Sequence, residues 1–341
     1  MHESLNFLSV VGATVDIKTM EAVQQSVMHL LNECGSLRHN EKLLILCDQT
    51  TKFFAESFYL ASKKTTAHAS LVEVPLAQRH GQDPPENISA MMLDADLIMC
   101  LCQFSLAHTK ARIEAGKRSA RFLSMPCYTW ELLSDEALTV SYKELAPTCR
   151  TIADMFTVGS RVRVQTAKGT DITLRCEDRV GNYCPGFVEK AGDLGSPPDI
   201  EANVSPIEGQ SNGKVTIDGS ITCPELGLLK DNVEITVEDG LIVKFESNNK
   251  GYVRILDEMF GAPNSKRRVL AECGIGLNPK AQLTGSMLTD EGAVGCMHFG
   301  FGSNYTVGGQ NEVDFHLDFV FRDATMTIDD KLVIENGDLK I

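Results

Sequence analysis

The segment 297–321, MHFGFGSNYTVGGQNEVDFHLDFVF, contains several side chains that can bind a metal ion. His316 and Asp318 stand two residues apart in a stretch typical of a β-strand, so both side chains should lie on one face. The residues between and beside them are apolar and point to the opposite face. A histidine and a carboxylate side by side on a largely buried strand suit either metal ligation or a simple His–Asp hydrogen bond.

His298 lies in a second predicted strand, VGCMHFGFG, in which three glycines are typical of close approach by a ligand or by another backbone. Two histidines and one aspartate on neighbouring strands form a ligand set for zinc, cobalt, manganese or iron. Glu201 and Glu272 are two further candidates. Glu272 lies among apolar residues in VLAECGIGLNP, and a buried carboxylate is costly unless it is paired or binds a metal.

The elements that must position these residues change character near residue 155. Residues 1–154 alternate short apolar runs such as KLLILCD and ADLIMCLC with segments of helical spacing, which predicts βαβ units and a Rossmann-like parallel sheet. Residues 155–341 alternate polar and apolar positions between turns, as in SRVRVQTAKGTDITLRCE. We therefore predict an α/β domain over 1–154, followed by a mostly antiparallel β domain over 155–341 that carries the metal site.

Two stretches have a character of their own. NKGYVRILDEMFG is the only clear helix predicted in the second domain, and the Gly- and Pro-rich residues 183–206 predict a long functional loop. No GxGxxG or Walker sequence follows a predicted strand, so the Rossmann-like rhythm does not indicate a nucleotide cofactor.

Charge and composition exclude several classes of partner. A net charge of -14 argues against binding to nucleic acid or to anionic membrane surfaces. No apolar run reaches the roughly 18 residues of a membrane span, and the first residues, MHESLNFLSVVGATV, lack the pattern of a signal peptide. The eleven cysteines are odd in number and form no paired CxxC motif, which favours the reducing cytoplasm.

The segments AECGIGLNP, MHFGFGSNY and FHLDFVF, in this order, resemble the aminopeptidase T/aminopeptidase S family of metallo-aminopeptidases. The resemblance implies a homodimer with two divalent metal ions, zinc, cobalt or manganese, in an enclosed cavity that takes small peptides. It also implies the set of metal ligands, which are Glu201, Glu272, His298, His316 and Asp318.

The same resemblance implies catalytic roles. Glu201 or Glu272 would bridge the two ions, and a carboxylate such as Glu201 would act as general base towards a metal-activated water. Tyr305, seven residues after His298, would donate a hydrogen bond to the oxyanion, and His108 would line the substrate pocket from the first domain. The first hypothesis is thus a two-metal hydrolase that releases N-terminal residues from small peptides.

A second branch of the same superfamily, the 2,5-dihydroxypyridine ring-opening dioxygenases, resembles this chain in length. Those enzymes use a single Fe(II), and two histidines with one carboxylate form a suitable ligand set for it. In them a histidine of the first domain acts as base, and His108 lies at a similar place. The branch has a histidine ligand at the position of Glu272, however, and no histidine is expected at His298. The iron dioxygenase is therefore the second hypothesis, and a non-catalytic metal-binding protein is the third.

Overall fold

The computed structural model describes residues 17–341, which lie in two compact units. Of the described residues, the first unit comprises residues 17–139 and Val188–Gly195, and the second comprises Val140–Phe187 and Ser196–Ile341. The predicted domain boundary at 154/155 falls inside a helix of the second unit and stays a prediction. The N-terminal stretch 1–15, which lacks the pattern of a signal peptide, lies outside the described residues. Within residues 17–341 no helix is long and apolar enough to cross a membrane.

The first unit contains a five-stranded parallel sheet in the order β2-β1-β3-β4-β8, which confirms the predicted α/β class. The central strands are buried along their whole length, as expected of parallel strands with helical crossovers. The elements of this unit are α1 (Ile17–His29), β1 (Leu43–Cys47), α2 (Lys52–Ser62), β2 (Ala69–Glu73), α3 (Glu86–Met92), β3 (Leu97–Cys100), α4 (Lys110–Lys117), β4 (Arg121–Ser124), α5 (Trp130–Leu133) and β8 (Leu194–Gly195).

The second unit contains two antiparallel sheets, as the sequence predicts. The eight-stranded sheet has the order β14-β13-β10-β6-β5-β18-β19-β20, and the seven-stranded sheet has the order β12-β11-β17-β16-β15-β9-β7. The elements of this unit are α6 (Tyr142–Val158), β5 (Arg161–Gln165), β6 (Asp171–Arg175), β7 (Asn182–Cys184), β9 (Glu201–Val204), β10 (Asn212–Ile217), β11 (Ser220–Ile221), β12 (Gly227–Leu228), β13 (Val233–Glu238), β14 (Leu241–Ser247), α7 (Lys250–Phe260), β15 (Leu270–Gly276), α8 (Met287–Asp290), β16 (Cys296–Gly302), β17 (His316–Arg322), β18 (Thr325–Ile328), β19 (Lys331–Glu335) and β20 (Asp338–Leu339).

Two segments differ from the prediction. Residues 183–206 are not one continuous loop, because β9 lies within them and pairs with β15 in the seven-stranded sheet. Helix α6 was not predicted. Its buried residues Cys149, Ile152, Ala153 and Phe156 have helical spacing, but Pro147 within the helix obscures the pattern.

An aromatic cluster supports the strands that carry the predicted metal ligands. Phe260, the last residue of α7, lies with its ring centroid 4.9 Å from that of Phe315, 5.8 Å from Phe319 and 6.4 Å from Phe301. Phe301 belongs to β16 and Phe319 to β17. Because side chains alternate along a strand, these phenylalanines bury one face of the sheet and leave the opposite face to the histidines and carboxylates.

We predict that Phe260→Ala lowers the free energy of unfolding by about 3–5 kcal/mol, because it leaves a cavity among the rings of Phe301, Phe315 and Phe319. Chemical denaturation followed by circular dichroism measures the change. Val158→Ala is the control: its side chain is 82% exposed, so its effect should stay within about 0.5 kcal/mol. Equal effects of the two substitutions would show that the cluster does not support the sheet.

Candidate metal centre

Four neighbouring strands of the seven-stranded sheet carry the five predicted metal ligands. The strands follow the order β17-β16-β15-β9. His316 and Asp318 lie on β17, His298 on β16, Glu272 on β15 and Glu201 at the start of β9. The sheet thus brings together side chains that are more than a hundred residues apart in the sequence.

Two glycines make room for the imidazole rings across the sheet. Gly300 of β16 is paired with Glu272 on one side and with Asp318 on the other. A Cβ atom at Gly300 would lie only 2.7 Å from His316 Nε2 and 2.8 Å from Asp318 Oδ1. Gly274 of β15 is paired with His298, and a Cβ there would overlap the ring of that histidine. The rings therefore occupy space that any other residue would fill.

The ligand atoms form two groups that share Glu272. One group is Glu201, Glu272 and His298, the other is Glu272, His316 and Asp318, and each offers ligand atoms within 4.8 Å of one another. The two oxygens of Glu272 face different histidines: Oε1 lies 3.7 Å from His298 Nε2, and Oε2 lies 3.3 Å from His316 Nε2. Neither group contains both histidines.

The two groups differ in their access to solvent. The side chain of His298 is 1% exposed and that of Glu201 is 8% exposed, whereas the side chain of His316 is 32% exposed. We therefore call the group of Glu272, His316 and Asp318 the open group, and the group of Glu201, Glu272 and His298 the closed group. A metal site that binds a substrate needs an open position, which only the open group provides.

A backbone contact fixes the orientation of the exposed histidine. His316 Nδ1 lies 2.8 Å from the carbonyl oxygen of Ser303. A carbonyl can only accept a hydrogen bond, so Nδ1 carries the proton and Nε2 faces Glu272 and Asp318. Such a contact is typical of metal-binding histidines, whose second ring nitrogen is usually held by an acceptor.

In the cluster, histidines lie close to buried carboxylates, and each type of group shifts the pKa of the other. Burial raises the pKa of Glu272, but interactions with His298 and His316 outweigh it and leave the pKa lowered. Burial lowers the pKa of both histidines, yet the neighbouring carboxylates raise the pKa of His298 and of His316 well above the ordinary value. The cluster therefore attracts positive charge, which protons supply when no metal is bound.

The donor set fits a divalent metal ion. Among the described residues, Glu201 Oε2 is one of the buried side-chain atoms without a hydrogen-bond partner. Glu201 Oε2 lies 3.1 Å from His298 Nε2 but in no hydrogen-bonding alignment. Buried polar atoms without a partner are rare, and a bound ion is one explanation for them. Carboxylate and imidazole ligands without a thiolate suit manganese, iron, cobalt or zinc.

Two carboxylates near the cluster, the buried Asp199 and the half-buried Glu291, were not predicted. Asp199 and Glu291 each interact electrostatically with Glu201 and Asp318, and burial raises the pKa of both side chains well above the ordinary value. Asp199 had a signal in the sequence, because the alternation D-x-E-x-N over 199–203 is typical of a strand with one polar face. Glu291, directly after α8, had none.

The structure places the other two predicted site residues outside these groups. Tyr305 lies in the loop between β16 and β17, and its side chain is 62% exposed. His108 is an exposed residue of the first unit, in the turn before α4. The catalytic roles of both residues stay predictions.

Comparison with known proteins points to one family. A family model described as NicX, 2,5-dihydroxypyridine 5,6-dioxygenase, matches residues 22–341. The curated 2,5-dihydroxypyridine 5,6-dioxygenase of Pseudomonas putida KT2440 is 28% identical over 165 residues, which are 45% of this chain and 47% of that protein. The alignment thus spans about half the length of the curated relative.

Two solved structures have the same fold. The 2,5-dihydroxypyridine dioxygenase from Pseudomonas putida KT2440 superposes with a TM-score of 0.81 at 19% identity, over 93% of this chain and 96% of that chain. Wild-type AmpT from Thermus thermophilus superposes with a TM-score of 0.70 at 12% identity, over 94% and 100%. At these identities the likeness shows the fold alone.

These findings correct the first hypothesis. The prediction of a metallo-aminopeptidase, and with it of hydrolase and metalloprotease chemistry, is wrong, because the family model, the curated relative and the structure with the higher TM-score are all dioxygenases. The short ligand-bearing segments misled because AmpT has the same fold. By the match over residues 22–341, the chain belongs to the NicX family of 2,5-dihydroxypyridine 5,6-dioxygenases.

Proposed function

We propose that this protein is a ring-cleaving dioxygenase that acts on 2,5-dihydroxypyridine or a closely related hydroxylated pyridine, with Fe(II) as its metal. The observation that carries the proposal is the open group, which lies within a chain that matches the dioxygenase family from residue 22 to its end. Five side chains are proposed as metal ligands: Glu201, Glu272, His298, His316 and Asp318. A small-molecule substrate and a homodimer remain predictions.

The open group is the proposed place of the reaction. Fe(II) supplies the redox chemistry that lets O₂ react with an aromatic ring. His316, Asp318 and Glu272 would hold it, and the partly exposed side chain of His316 puts this group within reach of solvent and of a small substrate. Carboxylate oxygens of this group can accept hydrogen bonds from the ring hydroxyl groups. The closed group, with His298 1% exposed, has no comparable access.

Consumption of 2,5-dihydroxypyridine with stoichiometric O₂ uptake, in the presence of Fe(II), is the expected activity. An oxygen electrode and the loss of the ring absorbance measure it, and analysis of the purified protein measures bound iron. His316→Ala and Asp318→Ala should each abolish turnover and lower the metal content while the circular dichroism spectrum stays unchanged. If the iron-loaded wild type leaves 2,5-dihydroxypyridine and a panel of hydroxylated pyridines untouched, the proposed function is wrong.

Gly300→Ala should impair the site without altering any ligand. The new Cβ would lie 2.7 Å from His316 Nε2, so the ring must move, and a displacement of this order can lower turnover by about 100-fold. Gly116→Ala in α4 is the matched control, because its nearest neighbour would be at 3.7 Å, an ordinary contact. Full activity of Gly300→Ala would argue against reaction at the open group.

Metal affinity should rise with pH. The raised pKa of His298 and of His316 means that both rings keep their protons to a higher pH than an ordinary histidine in the metal-free protein. A metal must displace these protons, so the dissociation constant should fall about tenfold per pH unit for each proton released, and level off above the raised pKa values. Calorimetric titration with Co(II) at several pH values, in buffers of different ionisation enthalpy, counts the protons. A dissociation constant independent of pH would contradict the proposed histidine ligands.

A further inference from the structure

Asn203 contacts Glu201, the predicted ligand at the start of β9. Asn203 and Glu201 stand two residues apart on β9 and share a face of the sheet. The Nδ2 atom of Asn203 donates a hydrogen bond to Glu201 Oε1 at 2.7 Å, and Asn203 is 2% exposed. An asparagine buried beside a candidate metal ligand orients that ligand unless it has another partner that holds it elsewhere.

A second amide fixes the direction of this hydrogen bond. Asn182 of β7 pairs in register with Asn203, and its Nδ2 donates to Asn203 Oδ1 at 2.7 Å and to the carbonyl oxygen of Val307 at 3.0 Å. The carbonyl of Val307 can only accept, so the atom of Asn182 that faces it must be nitrogen. Asn203 then accepts from Asn182 and donates to Glu201, with no freedom to reverse.

The carboxylate of Glu201 is thereby held with one defined oxygen towards the cluster. Oε1 is occupied by Asn203, whereas Oε2 has no aligned hydrogen-bond partner and lies 3.1 Å from His298 Nε2. Without Asn203 the carboxylate could rotate and exchange its two oxygens. The geometry therefore selects Oε2 as the atom that faces the ligand atoms of the closed group.

The series of hydrogen bonds from Glu201 through Asn203 and Asn182 ends at residues 303–315, the loop that carries Tyr305. Glu208 Oε1 accepts from Asn304 Nδ2 at 2.7 Å and from the backbone N–H of Gln310 at 2.7 Å, which anchors the loop on both sides of Val307. Ser303 of the same loop accepts from His316. One loop thus orients a ligand of the open group directly and a ligand of the closed group through two amides.

We propose that Asn203 is a positioning residue that presents Oε2 of Glu201 to the metal cluster, and that Asn182 links this carboxylate to the loop of Tyr305. The proposal rests on the proposed function in that the cluster binds a divalent metal. It assigns to the two asparagines a role in metal binding that neither residue would have as a mere part of the sheet.

The test compares Asn203→Ala and Asn182→Ala with the wild type in Co(II) binding. Asn203→Ala should raise the dissociation constant by about 10- to 100-fold, the usual effect of losing such a contact. It should also change the visible d–d absorption of the Co(II)-loaded protein, which reports ligand geometry and not stability. Asn182→Ala should change both in the same direction but less, because Asn203 keeps its contact with Glu201. Asn264→Ala, at an exposed turn residue, is the matched control and should change neither.

The outcomes separate this proposal from the proposed function. If the wild type binds metal and cleaves 2,5-dihydroxypyridine, but both asparagine variants bind Co(II) with wild-type affinity and spectrum, the positioning role is wrong and the function stands. If the variants lose affinity but the wild type has no dioxygenase activity, the function is wrong and the positioning role stands. Should Asn203→Ala fail to fold, as judged by circular dichroism, Asn182→Ala decides alone, and its unchanged affinity and spectrum would overturn the proposal.

Discussion

The need to neutralise buried carboxylates governs the second unit. Glu201, Glu272 and Asp318 lie on one face of an antiparallel sheet and are at most 8% exposed. Burial of an uncompensated carboxylate is so unfavourable that it would be protonated or the fold would rearrange. The histidines provide this compensation for Glu272 and Asp318 in the metal-free protein, since they hold the pKa of both below the ordinary range, whereas burial raises the pKa of Glu201 in spite of the nearby His298. A divalent cation can take over the same task, so the charge balance that allows this sheet to fold also suits it to bind a metal.

The antiparallel sheet determines which residues can share that balance. Side chains alternate along each strand, so a ligand face and a phenylalanine face coexist on β16 and β17, and Phe260 of α7 packs against the second of these. Across the strands, Gly274 and Gly300 stand where a side chain would otherwise separate the ligands. The imidazoles can then lie over the neighbouring strand and reach Glu272 from both sides. The cluster therefore depends on where the ligands lie along their strands and on the two glycines, which have no Cβ, as much as on the ligand side chains themselves.

Much of this could be predicted from the sequence, and the failures have physical causes. The change from helix–strand alternation to strand–turn alternation gave the fold class, because each type of sheet imposes its own periodicity. Residues 183–206 misled because Gly and Pro surround β9 and hide its four residues. Asn203 and Asn182 were not predicted, because an amide side chain indicates a role only when its hydrogen-bond partner is known. The main function was wrong for a related reason: the ligand-bearing segments suit a fold that AmpT and the dioxygenase both have, and only the match over most of the chain separated the two.

The difference in exposure between the two groups suits the proposed reaction, which has two external reactants. In that reaction O₂ and a ring substrate would both have to reach the metal, and His316 lies at the accessible side, where its Nδ1 is already held by Ser303. The closed group has no such access, and its Glu201 is held by Asn203 inside the sheet. Because Glu272 belongs to both groups, any displacement of Glu201 or His298 is transmitted to the open side through one carboxylate. The closed group therefore helps to position Glu272, and the proposed reaction depends on that position because Glu272 is also a ligand of the open group.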